Sequence, residues 1–471
     1  MFIGRMKELR LLEEAYNSHI CELVVVYGRR RIGKSSLVRE FTQNKTQVYS
    51  FEAIEGENTV GQIRYFTQSL KKQLNDPILD SLVFKNWDSV FTYITDKVFV
   101  KQKSKKKKVL FLDELQWMAA GRKQLVSLIK YYWDNFWKHN NVMLILCGSV
   151  ASFMIKKVLH STALYGRTTL EILLKGLPAN EAVLLFKNKR NPKEILKYLL
   201  VFGGVPKYLE GINLSQSFSR NMNRLCFSTH GPMFKEVERL FYSQFREVHT
   251  YREIVTLLKK GIYSAAEISS KLDIASGGGL KSYLDNLEKA EIIRSYIPFG
   301  RSINTKFRKY TLSDEYLYFY FKYIEPNRHL LAESTSEKLF EVLTKESFDT
   351  WLGFAFERFC LKNAALLAER MGFKDDVLLA APHFEKGDRR FQVDLLFQRV
   401  DEVITVCEIK HLNKPVSKTV IAEMERKCSL LKIPRGYTIE RALISIYGPG
   451  EALEKANYFD HSVTLEDILK I

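Results

Sequence analysis

The sequence predicts an α/β multidomain chain. A parallel sheet wrapped by helices comes first, then a helical middle, then a second α/β domain. Three observations lead there. Short apolar runs alternate with amphipathic helical stretches up to about residue 175, the pattern turns helical from about 176 to 310, and a strand-rich pattern begins near 346. With 471 residues the chain is too long for one ordinary core. The runs 23–27, 109–112 and 142–147 are apolar throughout rather than alternating, and 48–51 and 168–172 are richer in β-branched, aromatic and aliphatic residues than their surroundings. Strands buried on both faces of a parallel sheet read this way.

Composition narrows the class. Lys+Arg 72 against Asp+Glu 54 gives +18, an excess that favours polyanionic partners such as nucleic acid. The six cysteines form no C-x-x-C pair or zinc-spaced cluster, which fits a reducing compartment. The N-terminus lacks a signal-peptide core, and no apolar run approaches the ~18 residues of a membrane span. A cytoplasmic protein without membrane contact is expected.

The strongest local signal is Gly28-Arg29-Arg30-Arg31-Ile32-Gly33-Lys34-Ser35, followed by Ser36, between a buried strand and a helix. This is G-x-x-x-x-G-K-[ST], a phosphate-binding P-loop. Its glycines let backbone N–H groups curl round a phosphate, Lys34 reaches the β and γ oxygens, and Ser35 offers a hydroxyl to Mg²⁺. Downstream, the apolar run 109–112 ends in Asp113-Glu114, which puts two carboxylates at a strand's C-terminal edge, where nucleotides bind in open α/β sheets. Asp113 is expected to hold Mg²⁺ through water and Glu114 to polarise the attacking water. Ser149 ends the next strand and either senses the γ-phosphate or caps the following helix. ATP and Mg²⁺ are the expected substrate and cofactor.

Phe2-Ile3-Gly4-Arg5 with Glu8 and Leu9, the P-loop, Leu112-Asp113-Glu114, Cys147-Gly148-Ser149, Leu164-Tyr165-Gly166-Arg167 and the run 203–209 around Pro206 together resemble the archaeal-type ATPase family. That family belongs to the AAA+/STAND assemblage of P-loop (ASCE) ATPases. The resemblance covers residues 1 to about 240. It implies a helical lid, places Gly4, Arg5 and Pro206 near the adenine, and gives Arg167 the role of an arginine finger completing a neighbour's site in a homo-oligomer. An arginine after a small-residue loop is equally a surface salt-bridge partner.

Residues 250–310 read as a winged helix-turn-helix. Ser264 with Glu267 forms a capping box, Gly277–Gly279 supplies a turn, and a second helix over 280–290 turns Lys281, Ser282 and Asn286 outward. A β-wing bears Arg301, Lys306, Arg308 and Lys309. Such a module binds double-stranded DNA through helix and wing, or serves as a connector.

Near the C-terminus, Asp394 and the Glu408/Lys410 pair lie on two strands joined by a short polar turn, with Glu357 on a helix upstream. Residues two apart on a strand share a face, so the carboxylates can converge on Mg²⁺ while the lysine faces a phosphodiester. This pattern resembles the PD-(D/E)xK nuclease superfamily, many of whose members only bind. The lysine-rich run 101–108 reads as a solvated loop or an accessory phosphate contact.

The expected organisation is an ATPase core (1–175), a helical lid (176–245), a winged helix-turn-helix (246–312), a helical linker (313–345) and a nuclease-like domain (346–471). The expected function is an Mg²⁺-dependent ATPase whose nucleotide state controls a DNA-binding, DNA-cleaving C-terminal half. The alternative is an ATP-switched DNA-binding, scaffold or signalling protein with an inert nuclease-like fold.

Overall fold

The computed structural model describes residues 2–100, 106–120, 124–149, 153–245, 247–275, 277–301, 307–385 and 390–470. The chain divides into two compact units. The first runs to Lys175 and includes a short segment starting at Tyr242; the second comprises Gly176–Phe241 and the residues from Glu247 onward.

In the first unit, strands β1 (Glu22–Gly28), β2 (Val48–Glu52), β3 (Lys108–Asp113), β4 (Val142–Gly148) and β5 (Leu170–Leu174) form a sheet in the order β2-β3-β4-β1-β5. Every neighbouring pair is parallel. Successive residues face opposite sides of the sheet, so each run feeds two cores. Leu23, Val25, Leu110, Leu112, Leu144 and Leu146 pack with the helices Thr59–Leu74 and Gln124–Asn135. Val24, Val26, Val109, Phe111, Ile145 and Cys147 pack with helices α1 (Met6–Asn17) and α2 (Lys34–Thr42). The two-sided burial explains the unbroken apolar runs.

The second unit begins with helices, among them Pro192–Phe202, Pro206–Leu209 and Phe218–Cys226. Helices α3 (Val248–Leu258), α4 (Ala265–Leu272) and α5 (Gly278–Lys289) follow, with a three-stranded antiparallel sheet of β6 (Tyr263–Ser264), β7 (Ile293–Tyr296) and β8 (Lys309–Leu312). The Ser264/Glu267 capping box is present. Only Gly277 (φ 155°) stands outside α5; Gly278 and Gly279 are inside its first turn. Asn286 does not face outward as expected. It is buried and donates to the Tyr251 hydroxyl at 2.7 Å, an internal acceptor that draws the amide inward. Lys306 lies outside the described residues.

Helix α6 (Phe348–Lys362) leads into a second sheet of β9 (Val377–Glu385), β10 (Phe391–Arg399), β11 (Val403–Lys410), β12 (Thr438–Ser445) and β13 (His461–Thr464), in the order β13-β12-β11-β10-β9. Strands β9, β10 and β11 pair antiparallel, whereas β11, β12 and β13 pair parallel. Helix α7 (Val420–Leu430) supplies Met424 to the same core as Val393, Leu396 and Val406. Among the described residues no helix is long and apolar enough to cross a membrane.

The end of the lysine run is not solvated, although Lys106 is exposed. Lys107 and Lys108 are buried, and their ammonium groups donate to the carbonyls of Ala15, Ile20 and Phe99. Long apolar stems let lysine reach buried acceptors. Residues 101–105 lie outside the described part.

Candidate functional site

The phosphate loop joins β1 to α2 at the C-terminal edge of the first sheet. Glycine is required at two points. Gly33 has φ 88°, and a Cβ at Gly28 would collide with the Leu174 carbonyl on the neighbouring strand. Lys34 is buried, and its ammonium donates to the Arg29 carbonyl at 2.9 Å, inside its own loop. Burial pulls its pKa down, while Glu114 and Asp113 pull it up. Arg30 lies 5.8 Å from the Trp117 ring and 3.5 Å from Glu55.

Asp113 ends β3 and is almost wholly buried. Its Oδ1 accepts from the Glu114 N–H at 3.0 Å. Its Oδ2 is buried with no hydrogen-bond partner, beside a Cys147 thiol that burial keeps neutral. A buried, half-satisfied carboxylate at this edge suits a hydrated divalent cation. Glu114 sits in the left-handed region (φ 52°), unusual for a side chain of its size. Its Oε2 accepts from the Ser149 hydroxyl at 2.8 Å and from the Gln116 amide, which also donates to Ser149 Oγ at 3.1 Å. Ser149 is therefore committed to Glu114; the residues it would cap lie outside the described part. Gln116 escaped sequence reasoning, because a glutamine two positions past the carboxylate carries no pattern of its own.

Residues 2–212 match the ATPase domain found predominantly in Archaea. The chain carries an archaeal-type ATPase domain. An uncharacterised protein of Methanocaldococcus jannaschii is 29% identical over 364 residues, covering 76% of each chain. An uncharacterised ATP-binding protein of the same organism is 44% identical over 45 residues, covering 10% of this chain and 76% of its own. Among solved structures, a Walker-type ATPase of Pyrococcus abyssi has a TM-score of 0.46 at 20% identity, covering 68% of this chain and 95% of its own.

Other predicted residues of this ATPase domain have structural work of their own. Arg5 is buried, and its guanidinium donates to the carbonyls of Ile32 in the phosphate loop (3.2 Å) and Lys175 beyond β5 (2.5 Å). Gly4 and Arg5 both have positive φ, which turns the chain into α1. Arg167 forks onto Asp134, with Nε–Oδ1 at 2.8 Å and Nη2–Oδ2 at 2.9 Å. Pro206 opens the helix Pro206–Leu209 in the second unit.

The C-terminal residues are brought near one another but not into a metal cage. The register Leu395↔Cys407 puts Asp394 and Glu408 on adjoining strands, and Asp394 accepts from Gln392 at 2.8 Å. Burial raises the pKa of Asp394. Burial, then Asp394, raises Glu357 to about 7. A cavity of about 250 Å³ is lined by Glu357 and Asp394 together with Arg294, Arg358 and Lys362. Glu408 lies on β11 beside them. It is fully buried, with Lys410 Nζ at 2.6 Å from Oε1 and Lys427 Nζ at 2.7 Å from Oε2. Oε2 accepts a hydrogen bond from Lys427, whereas Oε1 is paired with Lys410 by charge and makes no hydrogen bond. Among the described residues no three His, Cys, Asp or Glu side chains form a metal-holding group. Lys427 went unnoticed, yet a signal existed: it follows Val420 and Met424 on the buried stripe of α7, where an apolar residue is expected.

Proposed function

We propose that this chain is an Mg²⁺-dependent ATP hydrolase whose nucleotide state acts on a DNA-engaging C-terminal half. The observation that carries the reading is the arrangement at the sheet edge: Lys34 within the glycine loop, Asp113 with an unsatisfied oxygen, and Glu114 held by Ser149 and Gln116. Loop N–H groups and Lys34 bind the β- and γ-phosphates, the lysine exchanging the Arg29 carbonyl for phosphate oxygen. Ser35 and Asp113 are the residues to hold Mg²⁺. When bound, that ion neutralises phosphate charge and favours loss of the γ-phosphoryl group. Glu114 orients the attacking water and accepts its proton, its carboxylate aimed by the two donors on Oε2. Lys34→Ala tests the reading. Turnover that needs Mg²⁺ and vanishes in the variant is the expected result; equal turnover in both overturns it.

For the second unit we read α3, α4, α5 and the β7–β8 hairpin as a winged helix-turn-helix, with exposed Lys281 and Arg301 and half-buried Arg308 offered to duplex DNA. The C-terminal sheet with Glu357, Asp394, Glu408 and Lys410 is read as a PD-(D/E)xK-like fold. One observation favours a second reading, in which this fold binds without cleaving: Lys427 holds Glu408 Oε2 at 2.7 Å, with Lys410 charge-paired to Oε1. Incubation with Mg²⁺ or Mn²⁺ and DNA, beside Asp394→Ala, separates the two. Cleavage lost in the variant supports a nuclease, and binding without cleavage in either protein supports the inert fold.

A further inference from the structure

The edge of the first sheet opposite the phosphate loop carries a cleft that the ATPase reaction does not use. It has a volume of about 890 Å³ and is lined by the loops that enter β1, β2, β3 and β4. From the start of β1 at Glu22 to the loop at Gly28 is about 20 Å at ~3.3 Å per residue, so a nucleotide on the P-loop does not reach it.

Four lysines line the cleft: Lys45, Lys106, Lys107 and Lys138. Among the described residues no carboxylate does. Two acids on the adjoining elements are engaged, Glu13 by Lys45 at 2.8 Å and Glu22 by the Ser18 hydroxyl at 2.6 Å. The wall is braced from below. Lys107 Nζ donates to Ala15 O (2.9 Å), Ser18 Oγ (2.9 Å) and Ile20 O (2.6 Å), pinning the turn after α1. Lys106 and Lys138 are exposed at the rim, and Asn17, Asn44 and Asn141 add amide groups.

We infer that this cleft binds the phosphodiester backbone of duplex DNA, a second DNA contact on the ATPase unit beyond the C-terminal one proposed above. Three features select that ligand. Small-molecule pockets are mostly apolar, whereas lysines, histidines and amides dominate this lining. The cations come from separate strand-entry loops, which suits an extended polyanion rather than a single phosphate. Single-strand sites offer aromatic platforms for bases. Here the aromatic in the lining is Tyr16, and Lys45 Nζ sits 4.4 Å from its ring centre.

The test is fluorescence anisotropy of the full chain with a labelled duplex of about 20 base pairs, over a salt series of roughly 50 to 200 mM. Wild type is compared with the double variant Lys106→Gln/Lys138→Gln and with a hairpin variant that joins Arg308→Gln, next to β8, to Lys281→Gln on α5. Removing two phosphate contacts should lower the slope of log affinity against log salt by about 1.8, equally for unrelated sequences. ATP turnover should not change. Unaltered affinity and slope in the cleft variant, with loss in the hairpin variant, overturns the inference and leaves the proposed function standing. No duplex binding by wild type at low salt overturns both. Cleft-dependent binding of a single strand in preference to the duplex overturns the assignment of the ligand.

Discussion

Ser149→Ala removes a hydroxyl that donates to Glu114 Oε2 at 2.8 Å, and it changes nothing in the phosphate loop. A hydrogen bond to a charged acceptor contributes about 1.5–3 kcal/mol. Gln116 still donates to the same oxygen, so the lower part of that range applies. A loss of about 1.5–2 kcal/mol in transition-state stabilisation corresponds to a roughly ten- to thirtyfold fall in kcat. KM should stay near wild type, because Lys34 and the loop N–H groups still hold the phosphates. Steady-state phosphate release gives both parameters, and single-turnover measurement extends them to slow variants. The decisive comparison uses Glu114→Gln, which should bind nucleotide and lose most hydrolysis. If Ser149 acts by positioning Glu114, adding Ser149→Ala to that background costs nothing more. An equal loss in both backgrounds would show that the hydroxyl works on the phosphate directly. Wild-type turnover in the single variant refutes any role.

Lys427→Met should destabilise the second unit by about 3–5 kcal/mol in chemical denaturation, because it strips a buried carboxylate of one partner; adding Glu408→Gln should recover part of the loss. Glu267 is held down to about 2 by Lys309 and then by the Ser264 cap, so the stability it adds is present above its unfolded value near 4.5 and fades as pH falls toward 2. The side chain is 47% exposed, so solvent screening cuts the effect to about 1 kcal/mol: Glu267→Gln should lower Tm at pH 7 and converge with wild type near pH 2. Arg167→Ala breaks a partly exposed pair with Asp134 and should cost about 1 kcal/mol at most in stability. If Arg167 instead serves a neighbouring subunit, the variant also loses ATP turnover and nucleotide-linked self-association by light scattering; a monomer with normal turnover removes that role.

What was legible in the sequence follows from how local each cause is. Strands buried on two faces need unbroken apolar runs, so β1, β3 and β4 could be read directly, as could the P-loop, whose glycines answer to backbone geometry a few residues wide. The Ser264/Glu267 box spans three residues and was equally open. The failures share a different cause: the partner lies far along the chain. Asn286 turns inward because Tyr251 waits there, and Lys107 because the carbonyls of Ala15 and Ile20 do. The Lys427 partner of Glu408, unnoticed in the sequence, likewise sits on another element. A charge run or a polar helix face reports only what a side chain prefers without such partners.

The two candidate sites differ in what their lysines must give up. In the phosphate loop, Lys34 rests on a neutral carbonyl, a bond with a net contribution near 1 kcal/mol. An incoming phosphate is a stronger acceptor, so the exchange runs toward the ligand. In the C-terminal sheet, Lys427 rests on a fully buried carboxylate, and separating such a pair costs about 3–5 kcal/mol. A cation that took Glu408 Oε2 would have to displace Lys427, whereas Oε1 faces Lys410 without a hydrogen bond. The same residue type therefore rests on a weak acceptor in the first site and on a buried carboxylate in the second.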